Sequence, residues 1–155
     1  MKYPKELSVC FTGHRIVKRD FDPKLIDGAV VDLIKKGYRY FFIGMALGFD
    51  SLSFIRVNSL KKRYPDIKII ACVPCRDQSF KFPYDKKLEY KKMLSLADEV
   101  IVLSDAYTPT CMKRRNEFMV DNSSVCISYV YRSSGGAYST TKYALDNGLQ
   151  VIYLK

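Results

Sequence analysis

Residues 128–148 read SYVYRSSGGAYSTTKYALDNG. An apolar and aromatic run ends at Tyr131, two glycines follow at 135 and 136, and a hydroxyl-rich segment comes next. If Ser133–Gly136 were a hairpin turn, AYSTT would return as a strand, a role that hydroxyl and aromatic residues suit. The alternative is a helix. Tyr138, Thr141, Ala144 and Leu145 recur at helical spacing, and Asn147–Gly148 supplies the left-handed stop that helices favour. The helix, over 138–146, is the preferred reading, and it has a chemical consequence. Its first amides lack partners within the helix and point back at the glycines, while Ser139, Thr140 and Thr141 add hydroxyl donors. A strand, a glycine loop and a helix N-terminus in that order form an anion site.

The same grammar extends through the chain. LSVCFT (7–12), YRYFFIG (38–44), IKIIACV (67–73), EVIVLS (99–104), SVCISYVY (124–131) and QVIYL (150–154) are short and rich in β-branched or aromatic residues, as strands are. Helical patterns separate them: PKLIDGAVVDLIKKG, FDSLSFIRVNSLKKR, YDKKLEYKKMLSLA and TCMKRRNEFMVDNS. In the first of these Leu25, Ile26, Ala29, Val30, Leu33 and Ile34 make one apolar face, and Gly37 is placed to end it. Strict alternation predicts an α/β fold, a Rossmann-like three-layer sandwich with a mostly parallel central sheet of about six strands. Several strands are apolar throughout, as expected when helices cover both faces. The 155 residues are expected to form one domain, 1–155, without linker or repeat.

Ligands of open parallel sheets bind beyond the carboxyl ends of the strands. Three junctions there stand out. After the first strand, Thr12, Gly13, His14 and Arg15 combine close backbone approach with donor side chains. After the second, GMALGFDSL places Gly44 and Gly48 before Asp50, which either faces a ligand or caps the following helix. It is neither a Walker A loop nor a GxGxxG fingerprint. The third junction is Gly135–Gly136 with Ser139 and Thr140.

Composition narrows the classes. With 26 basic and 16 acidic side chains the net charge is +10, which suits phosphorylated or polyanionic partners without choosing among them. No apolar run approaches the roughly 18 residues that span a bilayer, so no membrane role is expected. No export signal is visible and five cysteines cannot all pair, so reduced thiols and a cytoplasmic location are expected. Cys72 and Cys75 form a CxxC, but no second pair completes a zinc site and Cys72 sits in a strand; buried thiols are the expectation, with no metal and no cofactor. Lys113, Arg114 and Arg115 open a helix against its dipole, a local conflict that points to a ligand role for at least one of them.

Taken together, FTGHR, GMALGFDSLSF, VPCRDQSF and CMKRRNEFMVDNSSVCISYVYRSSGGAYSTTKYA resemble the SLOG superfamily, particularly its small YspA/YpsA-like members. That superfamily joins the DNA-processing Smf/DprA proteins to the LOG-type phosphoribohydrolases. The resemblance implies a nucleotide or nucleotide-derived ligand, with Gly13, Gly44, Gly48, Asp50, Gly135, Gly136 and Ser139 at ligand-facing positions and Arg115 at the hydrolases' arginine. It also implies dimers or larger homo-oligomers.

The departures bear on activity. The hydrolase glutamate is replaced by Lys142, its glycine–threonine pair by Tyr138–Ser139, and its lysine by Asn116. A lysine cannot stabilise a developing oxocarbenium ion, because its charge has the wrong sign. The expectation is therefore a ligand-sensing or regulatory protein. Hydrolysis of nucleoside 5′-monophosphates is the alternative, with Arg115 holding phosphate and Asp50 or Glu117 assisting. Single-stranded DNA binding ranks third.

Overall fold

The structure, a computed structural model, describes residues 2–155. Six strands and five helices alternate: β1 (Ser8–Gly13), α1 (Lys24–Lys35), β2 (Tyr40–Ile43), α2 (Phe49–Leu60), β3 (Lys68–Val73), α3 (Tyr84–Leu96), β4 (Glu99–Val102), α4 (Cys111–Asp121), β5 (Val125–Tyr129), α5 (Gly136–Asp146) and β6 (Gln150–Tyr153). Every strand pair is parallel, so the sheet is wholly parallel, with order β4-β3-β2-β1-β5-β6. This is the expected Rossmann-like architecture.

Each strand serves two cores because its side chains alternate across the sheet. Val9, Phe11, Phe41, Ile43, Ile69, Ala71, Val125 and Ile127 pack with Ile26, Val30 and Leu33 of α1, Phe54 and Val57 of α2, and Met93 of α3. The intervening Cys10, Phe42, Ile70, Cys72 and Cys126 pack with Met119 and Val120 of α4 and Ala144 of α5. Apolar residues at both parities explain why the strands lack alternation. Right-handed crossovers require this division, three helices on one face and two on the other.

The 128–148 segment is a helix, not a ribbon. Gly148 adopts φ 81°, and the Gly148 and Leu149 amides donate to the Leu145 and Ala144 carbonyls at 3.1 and 3.0 Å, closing α5 in a Schellman motif. Gly37, at φ 105°, ends α1 the same way. Thr141 Oγ1 donates to the Ala137 carbonyl at 2.8 Å, so Ser128 Oγ is the donor in its 2.8 Å bond to Thr141. That buried pair fixes the start of α5 against β5.

The sheet order reverses between β1 and β5, since the chain leaves β4 at one edge and re-enters beside β1. Loops diverge at such a point and leave a crevice at the carboxyl ends of the two strands. Gly48 holds one wall: at φ 87° its Cα packs onto the Arg15 carbonyl, where a Cβ would overlap. We expect Gly48→Ala to lose about 3 kcal/mol or more in urea unfolding, since it combines a left-handed backbone with a clash. Gly28→Ala, on the exposed face of α1 with nothing near its Cβ, should instead gain about 0.5–1 kcal/mol.

Candidate functional site

The first two junctions are joined to each other. The Phe49 amide donates to the His14 carbonyl at 3.1 Å, and the Phe49 ring lies where a Cβ on Gly13 would be. Phe49 also stacks on Tyr129, centroids 5.5 Å apart, which in turn meets Phe21 and Tyr131. The tyrosines at the end of β5 thus pack as core and rim. His14 Nε2 accepts the Tyr131 amide at 3.1 Å, which places the proton of the neutral ring on Nδ1. Burial, then the charges of Arg132 and Lys18, lower the His14 pKa and favour that neutral form.

Arg115 and Asp50 supply the charge. Arg115, on α4, is 4% exposed, and its Nη1 donates to the Gly44 carbonyl and, at 3.5 Å, to that of Cys72. Its Nε donates to Asn116 Oδ1 at 2.8 Å. A Cβ on Gly44 would stand 2.8 Å from Nη1, so the close approach of the guanidinium requires glycine there. Gln78 Nε2 shares the Gly44 carbonyl at 3.1 Å and is itself fixed by the Tyr90 hydroxyl, 2.8 Å from Oε1.

Asp50 does not cap α2. It is the second residue of that helix, Gly48 is the cap, and the carboxylate reaches back to the Ala46 amide at 3.2 Å. Met45, at φ 66°, turns the loop so that this amide faces Asp50; a left-handed non-glycine residue costs of order 1–3 kcal/mol. Burial pushes the Asp50 carboxyl up to about 6, against the opposing pull of Arg115 and the Ala46 amide.

A cleft of about 430 Å³ opens over these groups, within the range of small-molecule sites. It brings together Thr12, Gly13, His14, Arg15, Asp50, Arg115, Gly135 and Gly136. Gly135 adopts φ 94°, and neither it nor Gly136 has a neighbour where a Cβ would be, so this backbone is open. The first bond inside α5 runs from the Ser139 amide to the Gly135 carbonyl at 3.0 Å, leaving the amides of Gly136, Ala137 and Tyr138 ahead of it.

Other sequence candidates lie elsewhere. Gly44 and Gly48 sit behind the cleft wall, where packing alone accounts for them. Glu117, Ser139 and Thr140 line an adjoining groove of about 740 Å³ between α4 and α5, together with Lys142; it meets the cleft at Met112, Asn116 and Gly136. The cleft also contains Ala46, Gln78, Phe82, Met112, Asn116 and Arg132, which the motifs did not single out as ligand-facing. Arg132 was the most legible of these, a cation separated from the glycine pair by Ser133 and Ser134. Cys72 and Cys75 are buried free thiols. Among the described residues no helix is long and apolar enough to cross a membrane.

The fold and the order of its junctions have a counterpart: the model of the YspA SLOG family matches residues 8–150. The chain belongs to that family. Among relatives of this SLOG chain, the uncharacterized SPbeta prophage-derived protein YoqJ of Bacillus subtilis is 34% identical over 128 residues, covering 74% of the chain and 75% of YoqJ. The UPF0398 protein YpsA of the same organism is 26% identical over 102 residues, 64% of the chain and 57% of YpsA. Two solved structures share the fold. DNA processing protein A (DprA) of Streptococcus pneumoniae superposes with a TM-score of 0.66 at 19% identity, over 98% of the chain and 50% of DprA. DNA processing protein A of Helicobacter pylori, described for its single-stranded DNA binding mode, gives 0.64 at 20% identity, over 96% of the chain and 65% of that protein. The SLOG chain thus spans half to two thirds of the length of the DprA proteins and of YpsA.

The Asp50 carboxyl carries a pH signature. Its pKa is higher in the folded state, so its share of stability is present below the ordinary value of 3.8 and is lost as pH rises through about 6. The cost at pH 7 to 8 is of the order of 3 kcal/mol. Asp50→Asn should therefore raise the melting temperature at pH 7.5 by roughly 5–10 °C, and the gain should vanish near pH 4. Differential scanning calorimetry across that range reads both.

Proposed function

We propose that this SLOG protein binds a nucleotide or nucleotide-derived phosphate ligand in the cleft at the carboxyl edge of its sheet, and acts as a ligand-sensing or regulatory protein. One observation carries the reading. The open amides at the start of α5 meet a buried arginine and two exposed ones, Arg15 and Arg132, in a single cleft. Helix amides and guanidinium groups are the protein's two main devices for holding phosphate. Phe82, Leu47 and Met112 give the same cleft an apolar wall suited to a base.

The arrangement favours binding over hydrolysis of an N-glycosidic bond. Lys142 and Glu117 face the outer groove, which leaves Asp50 as the carboxylate in the cleft with Arg115. Asp50 is the candidate acid or base of the hydrolase alternative.

Thermal-shift titration with nucleoside mono-, di- and triphosphates tests the proposal. Saturation at about 100 times Kd adds roughly 2.7 kcal/mol, which for a chain of this size raises the melting temperature by about 5–10 °C. Gly136→Ala should leave the unliganded protein within about 0.5 kcal/mol of the parent, because nothing crowds its Cβ. It should weaken the ligand at least tenfold by standing over the amides. No shift with any nucleotide at millimolar concentration would refute the reading.

A second reading has its own observation. Phe80, Tyr84 and Tyr107 are exposed at 73%, 77% and 62%, on the loops beyond β3 and β4 and at the start of α3. Lys81 and Lys87 stand among them, and an Arg76–Asp105 ion pair at 3.0 Å joins the two loops. Aromatic faces interleaved with cations suit a single strand, the kind of nucleic acid that the Helicobacter pylori DprA binds. Fluorescence anisotropy with a labelled oligothymidine tests this. Affinity should fall steeply with salt, and Phe80→Ala should cost about 1–3 kcal/mol. Absence of binding at low salt would dispose of it.

A further inference from the structure

The inner end of the cleft holds two opposite charges that do not pair. Asp50 Oδ2 takes the Ala46 amide, and among the described residues Oδ1 takes no hydrogen bond. Arg115 spends Nη1 on the Gly44 and Cys72 carbonyls and Nε on Asn116. Among the described residues its Nη2 meets only the Met112 thioether, at 3.9 Å, and sulfur is a weak acceptor. Both side chains are more than nine-tenths buried, both line the cleft, and each lies within the other's field. An acceptor and a donor that line the cleft without a strong protein partner are the groups a bound ligand would complete.

The complement of that pair is a neutral group. A second anion would meet the Asp50 carboxylate, and a cation would meet Arg115 with Arg15 and Arg132 at the rim. A group that donates to Oδ1 and accepts from Nη2 satisfies both. Adjacent hydroxyls of a sugar do so, and so does the amide edge of a base, which sets an N–H beside a carbonyl.

We infer that Asp50 and Arg115 together read a neutral donor–acceptor group on a ligand that carries one phosphate, held at α5, and no second charge at its other end. The ligand class is a phosphorylated sugar or nucleoside monophosphate, with selectivity set at Asp50. The inference rests on the phosphate reading given above and adds to it the chemistry of the far end. The raised carboxyl pKa agrees with it, because a group left in so dry a place gains from each hydrogen bond donated to it.

Isothermal titration calorimetry on the full chain and on Asp50→Asn tests this. The probes are inorganic phosphate, ribose 5-phosphate, 2-deoxyribose 5-phosphate, the four nucleoside 5′-monophosphates and ribose 1,5-bisphosphate. At least one neutral-ended monophosphate should bind 10- to 100-fold tighter than inorganic phosphate, the return expected from one or two charge-assisted hydrogen bonds. A preference shown already by ribose 5-phosphate and reduced in the deoxy sugar assigns the group to the diol. A preference that appears only with one base assigns it to the base edge. In Asp50→Asn the preference should fall to within about threefold, while inorganic phosphate binds somewhat tighter because a negative charge has gone. The inference is overturned if Asp50→Asn keeps the preference, or if the bisphosphate binds tightest. Failure of every probe, phosphate included, would overturn the phosphate reading as well.

Discussion

The carboxyl edge of the sheet is organised by one buried cation. Arg115 leaves α4 on one face and reaches the ends of β2 and β3, whose carbonyls at Gly44 and Cys72 receive it. Removing a guanidinium from water costs several kcal/mol unless its donors are met, so the groups that meet it are constrained in turn. Position 44 must be glycine for the guanidinium to lie against the backbone. Gln78 must be oriented to share the same carbonyl, and Tyr90 orients it. One side chain therefore draws α4 and the junctions after β2 and β3 together. It also keeps a donor facing the cleft.

Around this anchor, backbone strain and an awkward charge gather at one place. Met45 holds a left-handed backbone, and Asp50 holds a carboxyl where its charge is disfavoured. Both belong to the loop that separates β2 from α2. Strain and an awkward charge in one loop are what the proposed ligand site would retain and a plain connection would shed. The glycines divide along the same line. Gly13, Gly44 and Gly48 are demanded by the protein's own side chains and carbonyls, while Gly135 and Gly136 face open space. Only the last pair leaves backbone free for a ligand.

The architecture was legible because its signals are local. Strands buried on both faces read as unbroken apolar runs, and Gly37 and Gly148 announce the helix ends that they form. The helix read over 138–146 was favoured over a ribbon by its spacing together with the Asn147–Gly148 stop, and it begins two residues earlier, at Gly136. The cleft was legible where a motif lies at a strand end, as with Thr12–Arg15, Asp50 and Gly135–Gly136. It was not legible where tertiary packing makes the site. Gln78 and Phe82 come from an aperiodic loop, and Asn116 is placed by its bond to Arg115. Glu117 stands two residues beyond Arg115, and helical geometry sets such residues about 200° apart, which carries it to the outer groove. Ser139 and Thr140 line that groove as well, one helical turn beyond Gly136.

The chain belongs to the YspA SLOG family and shares its fold with the DprA proteins, and its α5 presents its amides at the point of strand reversal. The central question is whether those amides receive an anion. Amide-resolved nuclear magnetic resonance during a phosphate titration answers this directly. The Gly136, Ala137 and Tyr138 signals should move the most, together with the Arg115 side-chain Nε–H. Shifts confined to residues of the outer groove, such as Glu117 and Tyr143, or no saturable shift at all, would contradict it.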